Sequence, residues 1–592
     1  MAGANRTSAF AGAGQNLAKA ARRWLLQPNQ FTVSEVIMRG TVAVLLVLLM
    51  AGAAVAQEIS SEMVGPGVRH RSFYFKKGPW AIDVLEVDLT DPFIHMETVK
   101  GQDHLRGYEK TSSMARRNDR EGHWVVGAVN GDFYAAGGVP INCQVIRGEM
   151  LRTPIEYSVL GFFSDRKPFI SVLSFSGSVG TSQGDWHAID GVNQARETDQ
   201  LILYNHYFGP TTETNIWGAE VRFKAVDSWG VNDTVRVVVI GLDSTQGNQP
   251  IPAAGGVLSG HGSARNWLLH SVSLQDTLRI VLRLPPLKKQ ILEAIGGLPR
   301  IVRDGKVSIE EGREGSSFAT SRHPRTAVGF TQDSTKLFLM TVDGRQPGYS
   351  MGMTLRELAE FLIGLGAYQA INLDGGGSTT MVVRNRIVNR PSDSGGERSV
   401  ANALMVISTA PRDTLWRLNV VPDTLHIFWQ SEFQFRAEGI DRFYNPVTFT
   451  AGELTWTCDP AIGRIESSGG RFTAGDQHAS GWVVARAGSI ADSAFVVVDV
   501  PEAIVVEPNP IYFQAGIRWR LTGRVIDTGG AVHSLAGSEF HWEVADTSVA
   551  VVDGAGNLVT RSPGKTWLLV SYGPVADSVV VSVEYPGSGP LD

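Results

Sequence analysis

The sequence predicts a large α+β domain built mainly of β-strands, followed by two β-sandwich domains. Strand-like alternation dominates from Phe73 to Thr98 and from Tyr157 to about Leu284. Helical signals are few and do not alternate regularly with strands, which argues against a doubly wound parallel sheet. From about Asp413 the helical signals vanish, and short strands separated by turns form two similar units.

Length and charge limit the classes of protein. A chain of 592 residues is too long for one hydrophobic core, so several domains are expected. The formal net charge of −6 argues against nucleic acid as a partner. The 65 glycines and 14 tryptophans are typical of turn-rich β structure.

The N-terminal region carries a predicted export signal. Thr41 to Ala56 is a continuous run of apolar and small residues that follows Arg39 and ends in Ala54-Val55-Ala56. This pattern indicates a signal peptide cleaved before Gln57, and the run is shorter than the roughly 20 residues of a membrane span. Residues 1–56 are therefore assigned to an N-terminal extension and signal peptide, with Met38 as an alternative start. We expect an exported protein (periplasmic, cell-surface or extracellular) without a membrane span after cleavage.

The predicted domains after the signal are residues 57–411, 412–500 and 501–592. The last two share landmarks: Trp456 corresponds to Trp542, and an Ala-Asp-Ser triplet precedes a Val-rich strand in each. Their size and strand density resemble bacterial immunoglobulin-like repeats, although the Cys…Trp…Cys pattern is missing. Such repeats are expected to be spacers or adhesive modules that contact cell-surface polymers.

The two cysteines do not indicate a disulfide framework. Cys143 and Cys458 fall in different predicted domains, and free thiols are the favoured interpretation, with an interdomain bridge as the alternative. The sequence contains no Cys or His cluster with the spacing of a zinc site.

The stretch from Tyr368 to Val383 is the most informative part of the chain. A capping box of Thr354 and Glu357 predicts a helix before it. Asn372 and Asp374 then share one face at the end of an apolar strand. A turn follows whose backbone amides and hydroxyls can hydrogen-bond an anion or a polyol. The turn residues proposed to bind substrate are Gly375, Gly376, Gly377, Ser378 and Thr379.

Two further strands end in carboxylates. The strand from Trp124 to Val129 runs into Asn130 and Asp132, which repeats the Asn-x-Asp arrangement, and the strand from Leu337 to Val342 ends in Asp343. If the two Asn-x-Asp ends meet, they form a polar pocket with two carboxylates. The alternative is a pair of unrelated Asx turns.

Three arginines accompany these strand ends. Arg322 and Arg325 flank a proline-stiffened turn, and Arg345 follows Asp343. Guanidinium groups there can grip a phosphate or carboxylate, although a solvated charged loop is the alternative. A P-loop is excluded because Ser378 stands where its lysine is needed, and a nucleophile elbow is excluded because position 380 is Thr.

Taken together, these motifs resemble the phosphodiester glycosidase family from about Trp124 to Ile407. The motifs that carry the resemblance are Asn130-Gly-Asp-Phe-Tyr134, Arg322-x-Pro-Arg-Thr-Ala-Val-Gly329, Val342-Asp-Gly-Arg345, Asn372-Leu-Asp-Gly-Gly-Gly-Ser-Thr-Thr380, Val388-Asn-x-Pro-Ser-Asp393 and Glu397-Arg398-x-Val-x-Asn-Ala-Leu404. The resemblance implies a glycoside hydrolase that cleaves a sugar-1-phosphodiester, of the N-acetylglucosamine-1-phosphate type, at the anomeric carbon. The products would be free sugar and a phosphomonoester.

The residues suit this reaction. An oxocarbenium-like transition state needs a nearby carboxylate, for which Asp132, Asp343 and Asp374 are the catalytic candidates. The candidates for stabilising the negative charge of the leaving phosphate are Arg322, Arg325, Arg345 and the turn amides. Asn130, Asn372 and Thr379 are the candidates for hydrogen bonds to the sugar hydroxyls. Which aspartate is the nucleophile or the base stays open. No cofactor is called for, and a Ca²⁺ or Mg²⁺ ion held by these oxygens is left open.

Two other functions remain alternatives. The chain could be a polysaccharide-processing hydrolase that needs no phosphate, or a surface protein that binds glycan without catalysis. The association of three strand-end aspartates with arginines favours an enzyme over a binding protein.

Overall fold

The computed structural model describes residues 57–310, 317–450 and 452–585. Strands make up most of these residues and helices are few, so the predicted mainly β fold class is confirmed. The predicted extension and signal peptide, residues 1–56, lie outside the described residues.

Two sheets carry the strand ends singled out above. Sheet A has eight strands in the order Gln57–Gly65, Val68–Phe75, Trp80–Asp88, Lys336–Val342, Arg325–Phe330, Gln369–Asn372, Arg300–Arg303 and Lys306–Val307. Sheet B has five strands in the order Arg386–Ile387, Met381–Val383, Trp124–Asn130, Asn402–Ser408 and Ile94–Lys100. The glycine turn after Asn372 carries the chain from sheet A directly into sheet B.

Sheet C completes the core beneath the site. Its five strands follow the order Glu149–Arg152, Gln144–Ile146, Ile291–Gly296, Ser158–Phe163 and Pro168–Val172. Apolar side chains of all three sheets pack in one cluster, for example Leu85 of sheet A, Val129 of sheet B and Ile295 of sheet C. The strand ends of sheets A and B are therefore fixed by a shared core.

Sheet D is inserted in the chain between the sheet C strands Pro168–Val172 and Ile291–Gly296. Its eight strands follow the order Trp186–Ile189, Ser176–Gly180, Thr277–Arg283, Asp233–Asp243, Ala219–Ala225, Gly255–Gly260, Leu201–Asn205 and Gly191–Val192. It packs on sheet C through a cluster that includes Val221 and Val145. The sequence predicted strands here but not their grouping as a separate sheet. Two short strand pairs are separate from sheets A to D: Glu109–Lys110 pairs with Ser399–Val400, and Tyr134–Ala135 pairs with Val139–Pro140.

The α-helices of the described residues are Thr111–Asn118, Gly262–Ser271, Ser317–Thr320 and Leu355–Gly364. The predicted capping box is confirmed: the Thr354 hydroxyl accepts from the Glu357 amide, and the Glu357 carboxylate accepts from the Thr354 amide. The predicted short helix after Thr111 is confirmed as well. The helix Gly262–Ser271 was missed, because its apolar residues lie within a region of strong strand alternation. None of the helices in the described residues has the length and hydrophobicity needed to cross a membrane.

The C-terminal part contains two units with the same strand order. Among the described residues, no strand of either unit pairs with a strand of the other unit or of sheets A to D. The first unit consists of three sheets: Leu415–Val421, Arg436–Asp441 and Pro446–Val447; Thr424–Phe428, Ile490–Asp499, Ala479–Ala487 and Thr455–Cys458; and Glu432–Gln434, Arg471–Ala474 and Gly463–Ile465. The second repeats this as Pro501–Glu507, Thr522–Asp527 and Val532–Ser534; Ile511–Gln514, Val575–Glu584, Gly564–Tyr572 and His541–Val544; and Arg518–Arg520, Asn557–Thr560 and Ala550–Val552.

The repeat inferred from the sequence is thus matched strand for strand. Trp456 and Trp542 occupy corresponding strands and are buried in the core of their own unit. Cys143 and Cys458 are free thiols, as favoured from the sequence; Cys143 is buried, whereas Cys458 is partly exposed.

Candidate active site

The two Asn-x-Asp strand ends meet, which is one of the two alternatives that the sequence left open. The Asn130 side-chain amide donates a 2.6 Å hydrogen bond to the main-chain carbonyl of Asp374. The Asp374 amide donates a 2.9 Å bond to the Gly131 carbonyl. Asn130 Oδ1 accepts from the Thr326 hydroxyl at 2.7 Å and from the Thr380 amide at 3.1 Å. Asn130 is fully buried and fastens the end of sheet B to the glycine turn.

Asp132 lies just beyond this junction and is 2 % exposed. Its Oδ2 accepts from the Asn142 amide at 2.8 Å, and its own amide donates to Asn402 Oδ1 at 2.8 Å. Burial raises the pKa of Asp132 to about 7, because a buried charge loses solvation, and the negative charge of Asp374 acts in the same direction. At neutral pH this carboxyl group is therefore poised between its two protonation states.

Asp374 is partly exposed and opens the glycine turn. Burial raises its pKa to about 6, while the Ser378 hydroxyl, the Gly375 amide and the charge of Arg398 oppose that rise. The main-chain bond from Asp374 to Gly131 places Asp374 beside the segment that carries Asp132, and the charge of Asp374 contributes to the raised pKa of Asp132. Perturbed carboxylates of this kind are typical of catalytic centres.

The three glycines of the turn lie close to four polar groups. A Cβ on Gly375 would come within 2.7 Å of the Pro324 carbonyl, and one on Gly376 within 3.1 Å of the Arg345 guanidinium. A Cβ on Gly377 would collide with both the Asp393 carboxylate and the Arg398 guanidinium. Gly376 also has φ +62°, a conformation that glycine adopts at little cost. A side chain at Gly376 or Gly377 would crowd or displace an arginine, because the guanidinium groups lie directly against the backbone.

Arg398 and Asp393 were missed as site residues, although both lie in motifs that carry the family resemblance. The Arg398 Nε donates to Asp393 Oδ2 at 2.8 Å, and Nη2 donates to Oδ1 at 3.1 Å. Arg398 also interacts with Asp374 and with Tyr134. The signal in the sequence was a pair of opposite charges five residues apart beside the Asn-Ala-Leu strand. Nothing in that spacing showed that the pair folds back over the turn.

Asp343 lies in a neighbouring polar cluster. Its carboxylate accepts from Asn389 Nδ2 at 2.9 Å, the Arg390 amide at 2.8 Å and the Tyr349 hydroxyl at 3.1 Å. Asn389 Nδ2 also donates to the Thr379 carbonyl at 3.2 Å, which links the cluster to the turn. Burial raises the pKa of Asp343 to about 6. Within the described residues, Asp132, Asp343 and Asp374 do not form a metal-ligating group by themselves.

The predicted arginines occupy different environments. Arg345 is exposed and faces Gly376, with Nη2 3.5 Å from His323 Nδ1. Arg325 is buried and donates to the main-chain carbonyls of Met353, Phe318 and Ser321. Arg322 forms an ion pair with Glu357, the capping residue, and lies over the Trp80 ring. Of the three, Arg345 is the one seen against the glycine turn, and substrate contact by Arg322 and Arg325 stays a prediction.

The remaining predicted residues, Asn372 and Thr379, are buried on either side of the three glycines. Asn372 is buried, and its amide group donates to the Leu298 and Leu373 carbonyls at 2.7 Å each. Asn372 Oδ1 and the Thr379 and Thr380 hydroxyls are buried without a hydrogen-bond partner among the described residues. Buried polar atoms are normally paired, so these groups mark a polar surface suited to water or ligand.

The site therefore combines two carboxylates of raised pKa with two guanidinium groups around a glycine turn. A partly exposed carboxylate can act on an electron-poor carbon, and arginines beside it can stabilise an anionic leaving group. Part of the chain that carries this site is similar to a known protein family. Residues 228–407 match the family model described as phosphodiester glycosidase. That match confirms the predicted resemblance over this segment, which contains Asp374 and Arg398 but begins after Asp132.

Individual relatives and solved structures are similar to parts of this chain. Over 113 residues the chain is 35 % identical to bovine N-acetylglucosamine-1-phosphodiester alpha-N-acetylglucosaminidase, an alignment that covers 17 % of this chain and 21 % of the bovine protein. The alignment thus spans about a fifth of that relative. A solved structure of a hypothetical protein from Synechocystis is similar with 19 % identity and TM-score 0.45, covering 58 % of this chain and 62 % of that one. The zebrafish N-acetylglucosamine-1-phosphodiester alpha-N-acetylglucosaminidase catalytic domain gives 16 % identity and TM-score 0.32, covering 61 % and 90 %.

Proposed function

We propose that this protein is an exported glycosidase that hydrolyses a sugar-1-phosphodiester at the anomeric carbon. The observation that carries the proposal is the meeting of Asp132 and Asp374, both with raised pKa, at a glycine turn lined by Arg345 and Arg398. The family match and the bovine relative support the same substrate class. The predicted signal peptide supports export.

In the proposed reaction Asp374 faces the anomeric carbon. It is the more exposed carboxylate, and its main chain is fixed on both sides by Asn130 and Gly131. The bond between C1 and the bridging oxygen breaks, its electron pair leaves with the phosphomonoester, and the oxygen of water ends on C1. Asp374 acts on C1 as a nucleophile or activates this water, and the stereochemistry of the first sugar product distinguishes the two routes.

The arginines are assigned to the leaving phosphate. A phosphomonoester is a weak base, so the transition state needs charge stabilisation more than a strong general acid. Arg345 against Gly376 and Arg398 against Gly377 place positive charge on one surface of the turn. The amides of Gly376, Ser378 and Thr379 already donate to main-chain carbonyls. The Thr379 hydroxyl, which has no hydrogen-bond partner among the described residues, is therefore assigned to an oxygen atom of the sugar or phosphate. Asp132, which is almost fully buried, is assigned to setting the charge of the site rather than to touching the sugar.

Product analysis in isotopically labelled water tests the proposal. Full-length protein is incubated in H₂¹⁸O with a UDP-N-acetylhexosamine or an alkyl phosphodiester of N-acetylglucosamine, with EDTA or with added Ca²⁺ or Mg²⁺. The expected products are sugar that carries ¹⁸O at C1 and unlabelled phosphomonoester, followed by NMR and mass spectrometry. Sugar-1-phosphate, or ¹⁸O in the phosphate, would mean P–O cleavage and would overturn the mechanism. Turnover of phosphate-free glycans alone would favour a polysaccharide hydrolase, and tight binding without product would favour a glycan-binding protein.

A further inference from the structure

A second group of chemically competent side chains lies at the other end of sheet B. His95 and Glu97 share one face of the strand Ile94–Lys100, and His123 immediately precedes the strand Trp124–Asn130. One ligand atom from each of the three lies within 4.8 Å of the others. His123 is separated from Asn130 by the length of a strand, about 23 Å at 3.3 Å per residue. The group is therefore distinct from the carboxylate site.

The two imidazoles converge on one oxygen atom. Glu97 Oε1 lies 2.9 Å from His95 Nε2 and 3.0 Å from His123 Nε2. Ligand atoms around a tetrahedral zinc ion with bonds of about 2.0–2.1 Å are separated by about 3.3 Å. The two distances from Glu97 would have to lengthen by only a few tenths of an ångström, and all three ligand atoms already lie within 4.8 Å of one another. Two histidine nitrogens and a glutamate oxygen are a known ligand set for zinc.

The orientation of His123 favours a cation between these groups. Its Nδ1 lies 2.8 Å from the main-chain carbonyl of Asn118, an acceptor, so Nδ1 carries the hydrogen. In the neutral imidazole Nε2 then presents a lone pair to the Glu97 carboxylate, which is repulsive unless a proton or a metal ion lies between them. A backbone carbonyl on the outer nitrogen is also the usual support for a metal-bound histidine.

The surroundings are compatible with entry of an ion. The side chains of His95, Glu97 and His123 are 28 %, 10 % and 12 % exposed. His95 and Glu97 line a cavity of about 200 Å³. Arg147 Nη2 lies 3.4 Å from Glu97 Oε2, the oxygen that does not face the imidazoles. Glu293 lines the same cavity but is fully engaged with Thr98 and the Arg147 amide.

We propose that His95, Glu97 and His123 bind a divalent transition-metal ion of the zinc class, with water completing the coordination. The ion would join the edge strand of sheet B to the segment between the helix Thr111–Asn118 and the strand Trp124–Asn130. Asn118 belongs to this support through its bond to His123. The ion is remote from Asp374, so no step of the proposed hydrolysis involves it.

Metal titration of the full-length protein tests this proposal. The protein is prepared without a polyhistidine tag, freed of metal with chelator and titrated with Zn²⁺ and Co²⁺ by calorimetry and absorption. We expect one ion per chain, an upward shift of a few degrees in the Tm, and loss of both in His95→Ala and His123→Ala. The matched control is His270→Ala, because His270 is exposed and its Nδ1 also lies 2.7 Å from a backbone carbonyl, that of Asn266.

A second measurement uses only the wild-type protein, so its result does not depend on whether the histidine variants fold. X-ray absorption at the zinc edge of the loaded wild-type protein is expected to show two imidazoles and oxygen ligands. A wild-type protein that binds neither Zn²⁺ nor Co²⁺ would overturn the proposal and leave a hydrogen-bonded ion pair of Glu97 with protonated histidines. Unchanged binding in both histidine variants, or a spectrum without imidazole, would place the ion elsewhere and overturn it equally.

Discussion

The guanidinium of Arg398 lies so close to Gly377 that a Cβ atom on this glycine would have to displace it. The same guanidinium is held by two hydrogen bonds to Asp393 and interacts with Asp374. The turn is therefore a fixed surface on which positive charge is brought next to a carboxylate, and each of its parts can be tested separately.

Asp374→Asn is expected to lower kcat/KM by about a thousandfold or more, because the site loses the carboxylate that acts on the anomeric carbon. The release of free sugar is followed by NMR, and folding is followed by circular dichroism. Asp304→Asn is the control, since Asp304 is exposed at a hairpin tip with φ 52°, which asparagine tolerates. An Asp374→Asn protein with near-normal turnover would remove Asp374 from the reaction.

The pH dependence of activity should report both carboxylates. With a pKa of about 6 for Asp374, kcat/KM is expected to rise through pH 6 as this group ionises. Ionisation of Asp132 near pH 7 then adds negative charge that repels the phosphodiester, so activity falls. Asp132→Asn is expected to remove the alkaline fall and keep the acid limb. If the variant keeps the fall, another group titrates there.

Asp132 should also make stability depend on pH. Its pKa is raised to about 7 in the folded protein from an ordinary 3.8, so its favourable contribution is complete below pH 3.8 and is lost as pH rises to about 7. Asp132→Asn is therefore expected to stabilise the protein above pH 7, with an upper bound of about 4 kcal/mol. Urea unfolding of wild type and variant at pH 5 and pH 8 measures this. A variant that is less stable at pH 8 would contradict the expectation.

Arg398→Gln is expected to lower kcat/KM about 10- to 100-fold, because a charge-assisted hydrogen bond is lost and Asp393 stays uncompensated beside the substrate. Arg322→Gln provides the comparison. Its partner Glu357 caps a helix, so we expect a smaller change in kcat/KM and at most about 1 kcal/mol in stability. Inhibition by inorganic phosphate should weaken in Arg398→Gln. Equal effects of the two substitutions would mean that Arg322 also contacts the substrate.

Gly377→Ala is expected to lower activity at least tenfold while most of the fold survives, because the new methyl group displaces the Asp393–Arg398 pair. Gly364→Ala is a matched control: it lies at the end of the helix Leu355–Gly364, and a Cβ there meets no atom within 4 Å. Alanine in a helix is favoured over glycine by roughly 0.5–1 kcal/mol, so the control should be neutral or slightly stabilising. The kcat/KM and Tm of both variants are measured, and a Gly377→Ala protein as active as Gly364→Ala would contradict the prediction.

The sequence was most informative where one residue type can satisfy a local requirement. The Thr354–Glu357 capping box could be predicted because hydrogen bonds between residues three positions apart specify it. The Asn-x-Asp pattern could be seen at two strand ends, but the bond that brings these ends together joins Asn130 to the distant Asp374. Arg398 and Asp393 could not be assigned to the site, since their position over Gly377 depends on tertiary folding of a loop without periodicity. Sheet D was hidden for a related reason: strand alternation gives strands but not their partners.

The group of His95, Glu97 and His123 could not be predicted from the sequence either. His95 and Glu97 are near neighbours, but His123 is brought to them by the pairing of the edge strand with Asn402–Ser408, which in turn pairs with Trp124–Asn130. A search for short ligand spacings does not detect such a group, because its geometry is set by strand register.

The bond from Asn130 to Asp374 joins residues that are 244 positions apart in the chain. All of sheet D and the sheet A strands Arg325–Phe330 and Lys336–Val342 fall inside that loop. The two carboxylates can approach each other only when this long segment has folded, so catalytic competence would arise late and turnover would report on the integrity of the whole domain. A recombinant fragment restricted to residues 228–407 would contain Asp374 and Arg398 yet lack half of the carboxylate pair.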